Sequence, residues 1–488
     1  MSSRRNLNQT PRQRGAILLV LALLLVVSGS WLAVRALSSV RPSTDANGLA
    51  ALAEARSAVL GATVSLVAAG VTSPGRLPNP DFLEPGEVPA NNYDGNSNGG
   101  CARSTWVPGA TLTAVGGLLI PNIRCLGRIP WQTLGLGSFG GIPQNDPLGL
   151  IPWYAISANL VPGCTTLNPG ILNAAYTAFP PGNCQGPAVQ PFPWITVLDA
   201  KGNVVTNRAA VVLVLPGPSL AGQNRTTAPL PGPAAYLDTV TVAAGCGQPC
   251  VPGTYNNARF NWPDSVGFTF IQCALPQAGS ATNPDFTQPY NCNDRISFIT
   301  IDELMEAAER RAAQYLAGRL RAYYATNGFF PYAAMLGPGP NRQCQNGLAR
   351  GLIPDATGGS CTHLRFDTGD PTSFQNWFEA NLWNDYIYYE VAATCTQAQP
   401  AFNCNSVAGT LATGSLTNVR AIVIGAGAPI VATPFAQSKG SAAAQVRPSV
   451  SLADYLDSTE NANGDNRFDP TATRTTRSYN DKIVVVAP

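Results

Sequence analysis

The sequence predicts an α+β protein: an N-terminal transmembrane helix, then two tandem units, each a helix plus a small antiparallel sheet with disulfide-pinned loops. Three observations predict it. Residues 16–34 carry no charge and come after a basic leader, all twelve cysteines lie beyond that segment, and a series of short motifs occurs twice in the same order.

The leader, residues 1–15, holds Arg4, Arg5, Arg12 and Arg14 and no acid. The uncharged run from Ala16 to Val34 is close to the roughly 20 residues a helix needs to cross a bilayer. Positive charge ahead of such a run keeps the N-terminus cytoplasmic, so everything after Arg35 is expected to be exported. Pro42 closes the expected transmembrane or filament-core helix, 16–41. Two other processing modes stay open. A cleaved secretory signal has an apolar stretch of about 7–15 residues, and here the run is longer and Val34-Arg35-Ala36 makes a poor cut site. Ser3–Leu7 is a loose twin-arginine match set apart from the apolar run by a second basic cluster. A plain uncleaved anchor also fits.

A basic leader ending in Gly15 and running directly into an apolar helix resembles the type IV prepilin signal. The resemblance implies cleavage after Gly15 by a prepilin peptidase and methylation of the new N-terminus at Ala16. It also implies a subunit that packs its N-terminal helix against other pilins or pseudopilins, held in the inner membrane of a Gram-negative bacterium before assembly. Most pilins carry glutamate at the fifth mature position, where this chain has Val20. Minor pilins and the tip pseudopilin of type II secretion systems also lack that acid, so the resemblance points to a minor or tip subunit. It is detailed over 12–71 and architectural beyond.

Twelve cysteines on the expected exported side read as six disulfides in an oxidising compartment. Nearest-neighbour pairing gives Cys101–Cys125, Cys164–Cys184, Cys246–Cys250, Cys273–Cys292, Cys344–Cys361 and Cys395–Cys404. Zinc is a poor alternative, since Cys246-Gly-Gln-Pro-Cys250 alone has ligand-like spacing. The 47 glycines and 42 prolines imply many loops but stop short of a disordered composition. A net charge of +2 with 12% charged residues argues against nucleic-acid binding, which needs a clustered basic face.

Five motif pairs carry the repeat. Thr206–Pro218 matches Thr417–Pro429, Ala235-Tyr-Leu-Asp238 matches Asp454-Tyr-Leu-Asp457, and Asn257-Ala-Arg-Phe260 matches Asp465-Asn-Arg-Phe468. Asn293-Asp-Arg-Ile296 matches Asn480-Asp-Lys-Ile483, and upstream Trp153–Ser157 sits where Tyr388–Ala392 sits. The region after the membrane segment is therefore expected to be a duplication, 44–300 and 301–488, the first copy lengthened by an insertion that carries Cys246, Cys250 and Cys273.

Each copy is expected to open with a helix. In the second, Thr300-Ile-Asp-Glu303 reads as a capping box. Met305, Ala308, Ala312, Leu316, Leu320 and Tyr323 recur at helical spacing, and Gly328 offers a left-handed stop. In the first, Thr44 is the cap, and Leu49, Leu52, Leu60, Val64 and Val67 form the stripe. The strands come after each helix as short β-branched runs: Ile195–Leu198, Ala209–Leu215, Phe268–Ile271 and Ile296–Ile299, then Ile387–Tyr389, Ala421–Ile424 and Ile483–Val486.

Catalytic signatures are sparse. The single histidine, His363, has no Gly-x-Ser-x-Gly elbow to serve, and oxidised thiols cannot act as nucleophiles. Gly135–Gly141 lacks the Lys-Ser/Thr ending of a phosphate loop. Two loops could take calcium. Asp94, Asn96 and Asn98 alternate ahead of Gly99 like the first half of a calcium loop, with Thr105 where the closing glutamate belongs. Asp457, Glu460, Asp465 and Asp469 cluster among asparagines and Gly464. The plain alternative for both is a solvent-exposed Asn/Gly turn. Trp377, Phe378, Trp383 and Tyr386 read as core rather than as a sugar-binding groove. The expected function is a non-enzymatic minor subunit of a type IV pilus or type II secretion pseudopilus, in the inner membrane with its exported part in the periplasm or at the cell surface. The alternatives are a membrane-anchored enzyme or adhesin acting on surface polysaccharide.

Overall fold

In the computed structural model, the strands of the C-terminal half repeat those of the N-terminal half in order, direction and register. Apart from short breaks, it describes residues 45–64, 77–82, 93–97, 113–120, 125–157, 194–225, 232–258, 269–273, 292–337, 342–359, 383–396, 404–427, 445–470 and 480–487. The chain divides into two units, Met1–Ala51 and Leu52–Pro488. In the first unit only 45–51 are described, as the opening turns of helix α1 (Asp45–Val64). Both halves of the repeat belong to the second.

The N-terminal half contains β1 (Leu126–Arg128), β2 (Trp153–Ile156), β3 (Ile195–Leu198), β4 (Val204–Leu215), β5 (Thr239–Val242), β6 (Gly253–Asn256), β7 (Thr269–Ile271) and β8 (Arg295–Thr300). The order is β1-β2-β4-β3-β7, with β8 also paired to β4. The C-terminal half contains β9 (Arg350–Leu352), β10 (Ile387–Val391), β11 (Leu411–Thr413), β12 (Leu416–Val419), β13 (Ala421–Gly425), β14 (Arg467–Phe468) and β15 (Lys482–Ala487). Here β9-β10-β13-β15 form one sheet and β12-β11-β14 another. The long β4 thus has the role that β12 and β13 share, the break falling near Asn418, which takes a left-handed φ of 63°.

Register makes the correspondence residue by residue. Trp153 faces Val214, which faces Ile296; Tyr388 faces Ile424, which faces Ile483. Gly127 lies opposite Tyr154 and Gly351 opposite Tyr389. Both glycines allow a neighbouring segment to press onto the sheet: a Cβ would stand 2.5 Å from the Asp81 carbonyl oxygen at 127 and 2.0 Å from that of Ala334 at 351. The hydroxyls of Tyr154 and Tyr389 then donate to the carbonyls of Pro78 and Pro331, at 3.3 and 2.9 Å. The pair β3–β7 is parallel, and so is β11–β14. The β5–β6 hairpin lies in the insertion expected in the first half, packed with Leu198, Cys250 and Ile271.

Helix α2 (Ile301–Asn327) starts where β8 ends, so Thr300 closes the strand and caps the helix. The capping box forms: Glu303 N–H donates to Thr300 Oγ1 at 3.2 Å and Thr300 N–H to Glu303 Oε2 at 3.1 Å. The whole expected stripe from Met305 to Tyr323 is buried, and Gly328 ends the helix with φ 77°. Helix α2 packs on β13 and β15 and also on β4 and β8. Its first turn is tied to the N-terminal half by Arg208–Asp302 at 2.7 Å and Arg56–Glu303 at 2.5 Å.

Two expectations are corrected. A transmembrane helix followed by two pilin-like units with small antiparallel sheets does not describe this fold. Among the described residues no helix is long and apolar enough to cross a membrane, because α1 carries Asp45, Glu54 and Arg56 and α2 carries acids and arginines along its length. The six-stranded sheet of the N-terminal half is mixed, and the three-stranded sheet of the C-terminal half also holds a parallel pair. The same finding overturns the single-pass inner-membrane placement. The leader, the cleavage residues Gly15 and Ala16, and the expected membrane segment 16–41 lie outside the described residues. In α1 the buried face is Leu52, Ala55 and Val59, while Leu49 of the expected stripe is exposed.

Disulfides are present. Cys273–Cys292 and Cys395–Cys404 pair as expected, with Cα separations of 5.5 and 4.4 Å. Cys125, Cys250 and Cys344 are also disulfide-bonded. Cys101, Cys164, Cys184, Cys246 and Cys361 lie outside the described residues.

Candidate functional site

Each half buries one polar network, and the two networks are built from the same residue types at corresponding places. In the N-terminal half they are Gln223, Arg225, Tyr236, Asp238, Asn257, Asn293 and Asp294. In the C-terminal half they are Gln445, Arg447, Tyr455, Asp457, Asn461, Asn480 and Asp481. One aspartate ends the Tyr-Leu-Asp loop and the other sits at the entry of the last strand.

A buried carboxylate is tolerated only when donors surround it, and the donors here are backbone N–H groups and the amides of glutamine and asparagine side chains. Asp294 Oδ2 accepts from Asp238 N–H at 2.8 Å and Asn257 Nδ2 at 2.9 Å. Asp481 Oδ2 accepts from Asp457 N–H at 3.0 Å and Asn461 Nδ2 at 2.7 Å. The loop aspartates are held at both oxygens. Asp238 accepts from Gln223 Nε2 at 2.8 Å on one and from Asn293 N–H at 2.6 Å on the other. Asp457 accepts from Gln445 Nε2 at 3.1 Å and Asn480 N–H at 2.7 Å. Each asparagine also takes a backbone N–H onto its Oδ1: Ile271 of β7 to Asn257 at 3.0 Å, and Asp469, just past β14, to Asn461 at 2.7 Å.

The arginines close the outer layer. Arg225 donates to Gln223 Oε1 and to the carbonyls of Gly217 and Ala235. Arg447 donates to Gln445 Oε1 and to the carbonyls of Gly427 and Asp454. Both guanidinium groups also lie over the loop tyrosine, 4.7 Å from the Tyr236 ring and 5.9 Å from that of Tyr455. Burial and then the partner aspartate push the Asp294 and Asp481 carboxyls well above the usual range. Glu309 of α2 approaches the second network from the side, accepting from Gly427 N–H at 2.7 Å. Burial pushes its carboxyl up to about 7, against the pull of Arg447 and Lys482.

Beneath the first network lies a second buried charge. Arg128 of β1 pairs with Asp146 at 3.0 Å, the two side chains at most 1% exposed. Its guanidinium lies 4.1 Å from the Tyr236 ring, 4.5 Å from Trp153 and 5.6 Å from Tyr93. Asp146 is further held by the N–H groups of Leu150 and Ile151, at 2.7 and 2.9 Å.

The calcium candidates distribute differently. Asp457 is buried and its oxygens serve the network, while Asp469 enters through its backbone N–H. Asp465 accepts from Arg467 N–H at 2.9 Å in a local turn, and Glu460 faces Arg467 at 3.7 Å. These four do not gather as a ligand cluster among the described residues. Asp94 accepts from Asn96 through both its N–H and its Nδ2; Asn98 lies outside the described residues. Asp238, Cys273 and Cys292 do place an oxygen and two sulfurs within 4.8 Å of one another, but the sulfurs are joined to each other, which spends them as ligands. Phe378, Trp383 and Tyr386 are buried, as the sequence suggests; Trp377 and His363 lie outside the described residues.

Sequence patterns alone miss Gln223/Arg225 and Gln445/Arg447, although a Gln-x-Arg triplet precedes each Tyr-Leu-Asp. They also align Asn257 with Asp465, whereas the hydrogen bonds match Asn257 to Asn461. No family model matches the chain, and no curated protein or solved structure matches it either.

Proposed function

We propose that this chain is a non-enzymatic, duplicated structural subunit of a type IV pilus or type II secretion pseudopilus. Its partners are other pilins or pseudopilins and the prepilin peptidase. The observation that carries the reading is the basic leader ending at Gly15, followed at once by the uncharged run from Ala16 to Val34. Val20 in place of the usual acid favours a minor subunit. The folded part supports a structural role. Its paired carboxylates are enclosed by donors, whereas a polysaccharide-cleaving pair would face each other across an open cleft, about 5–10 Å apart. Disulfides fit a protein that meets an oxidising environment.

The experiment is mass spectrometry of the mature N-terminus in the native host. Methylated Ala16 is the expected result. An intact leader, or a terminus at any other residue, overturns the reading.

A further inference from the structure

Two carboxylates in one buried network cannot both hold a full charge cheaply, and the donors are placed differently on the two members of each pair. The loop aspartates, Asp238 and Asp457, receive N–H groups on both oxygens. The strand aspartates, Asp294 and Asp481, receive two on Oδ2, while Oδ1 is buried and has no hydrogen-bond partner among the described residues. The same asymmetry in both halves makes it a property of the architecture rather than of one loop.

We propose that each pair holds a single proton seated on the strand aspartate, so that Asp294 and Asp481 are neutral acids and Asp238 and Asp457 carboxylates, and that each pair is a clasp that loosens as pH rises. Donor placement decides which member ionises, since a carboxylate with a donor on each oxygen is better stabilised than one whose Oδ1 meets none. Burial and the facing carboxylate raise the strand members, in agreement with the geometry. The charged groups around them are few. Asp238 and Arg225 face Asp294. Asp457 and Arg447 face Asp481, with Glu309 of α2 and Lys482 of β15 beside Arg447 and Asp457.

The consequence for pH has a definite sign. A group held protonated by the fold contributes stability at low pH, and that stability is lost as pH rises through its raised folded pKa. Loss of the proton sets a second charge against the first and frees the Tyr-Leu-Asp loop from the last strand. The N-terminal clasp is backed by Cys273–Cys292, whose cysteines flank β7 and β8. The C-terminal clasp has Thr471 and Tyr479 at the corresponding sequence positions, so it opens first.

Four variants of the full chain test this: Asp294→Asn, Asp481→Asn, Asp238→Asn and Asp457→Asn. An amide mimics a neutral acid and cannot replace a carboxylate that takes donors on both oxygens. The strand variants are therefore expected to melt within about 3 °C of wild type at pH 7 and to lose the decline in stability with rising pH. The loop variants are expected to melt more than about 5 °C lower, because a donor on each oxygen loses its charged acceptor. In the infrared spectrum at pH 7 the protonated-carboxyl band should weaken in each strand variant. Strand variants that melt as low as loop variants, or that leave this band unchanged, overturn the proposal. Should the loop variants fail to fold, the melting and the band of the strand variants decide alone.

Discussion

The two halves keep the same clasp over different cores. Under the N-terminal network, β1 supplies Arg128 to a cage of Trp153, Tyr236 and Tyr93, with Asp146 as counter-ion. At the matching position β9 supplies Leu352, and Tyr388 and Tyr455 join it in an apolar cluster with Ile422, Ile424 and Leu456. The C-terminal half has its own arginine two residues earlier in the strand, Arg350, 3.5 Å from buried Glu390, where the N-terminal half has Leu126 beside Ala155. A buried ion pair and a leucine are thus interchangeable beneath one architecture, which fits the near balance between Coulomb attraction and desolvation for such pairs. The clasp is not interchanged: in both halves the same backbone N–H groups and the same glutamine and asparagine amides supply its donors.

Breaking one partner of the N-terminal pair should have the largest effect. Asp146→Ala leaves the Arg128 guanidinium buried without its counter-ion and the N–H groups of Leu150 and Ile151 without an acceptor. A loss of about 3–5 kcal/mol in denaturant unfolding is expected. A loss under about 1 kcal/mol would show that the rings alone neutralise Arg128.

Glu309 gives the next effect. Its folded pKa of about 7 lies above the ordinary value near 4.5, so the fold prefers it protonated. Its contribution is present at low pH and is lost as pH rises from about 4.5 to about 7, by up to about 3 kcal/mol. Glu309→Gln keeps an acceptor for Gly427 and should flatten the stability profile over that window. An unchanged slope would assign the dependence to other acids.

A smaller loss comes from crowding at the paired glycines. Gly351→Ala would bring a methyl to 2.0 Å from the Ala334 carbonyl oxygen and should cost about 1–3 kcal/mol by thermal melting. Gly127→Ala, at 2.5 Å from the Asp81 carbonyl oxygen, should cost less. The reverse order would mean that the two segments do not press on their sheets alike.

The smallest effect is expected from making the N-terminal core resemble the other. Arg128→Leu combined with Asp146→Asn removes both charges and keeps one acceptor for the Leu150 and Ile151 N–H groups. Stability within about 1.5 kcal/mol of wild type is expected. A loss as large as that of Asp146→Ala would make the cage specific to arginine.

Local chemistry is legible in the sequence, and tertiary placement is not. The capping box at Thr300, the stripe of α2 and the left-handed Gly328 are set by neighbours within a few residues, so their spacing exposes them. Tyr-Leu-Asp and Asn-Asp are visible because both halves need the same atoms there. Gln-x-Arg escapes notice because its middle residue differs, asparagine at 224 and valine at 446. The Arg-Phe identity at 259–260 and 467–468 draws Asn257 toward Asp465, since similarity of letters carries no record of which amide reaches the strand aspartate. Asp457 looks like an oxygen ligand in a polar loop, and only the fold reveals that the Gln445 amide and the Asn480 N–H have claimed it. Parallel pairing between β3 and β7 joins segments about 70 residues apart, beyond the reach of any periodicity.

At Thr300 the polypeptide passes from strand to helix with no residue to spare. Such a join offers no swivel, so twisting one half must wind the other, and a protease has no slack between them to seize. Helix α2 in turn lies against β4 and β8 of one half and β13 and β15 of the other, so a single rod braces both.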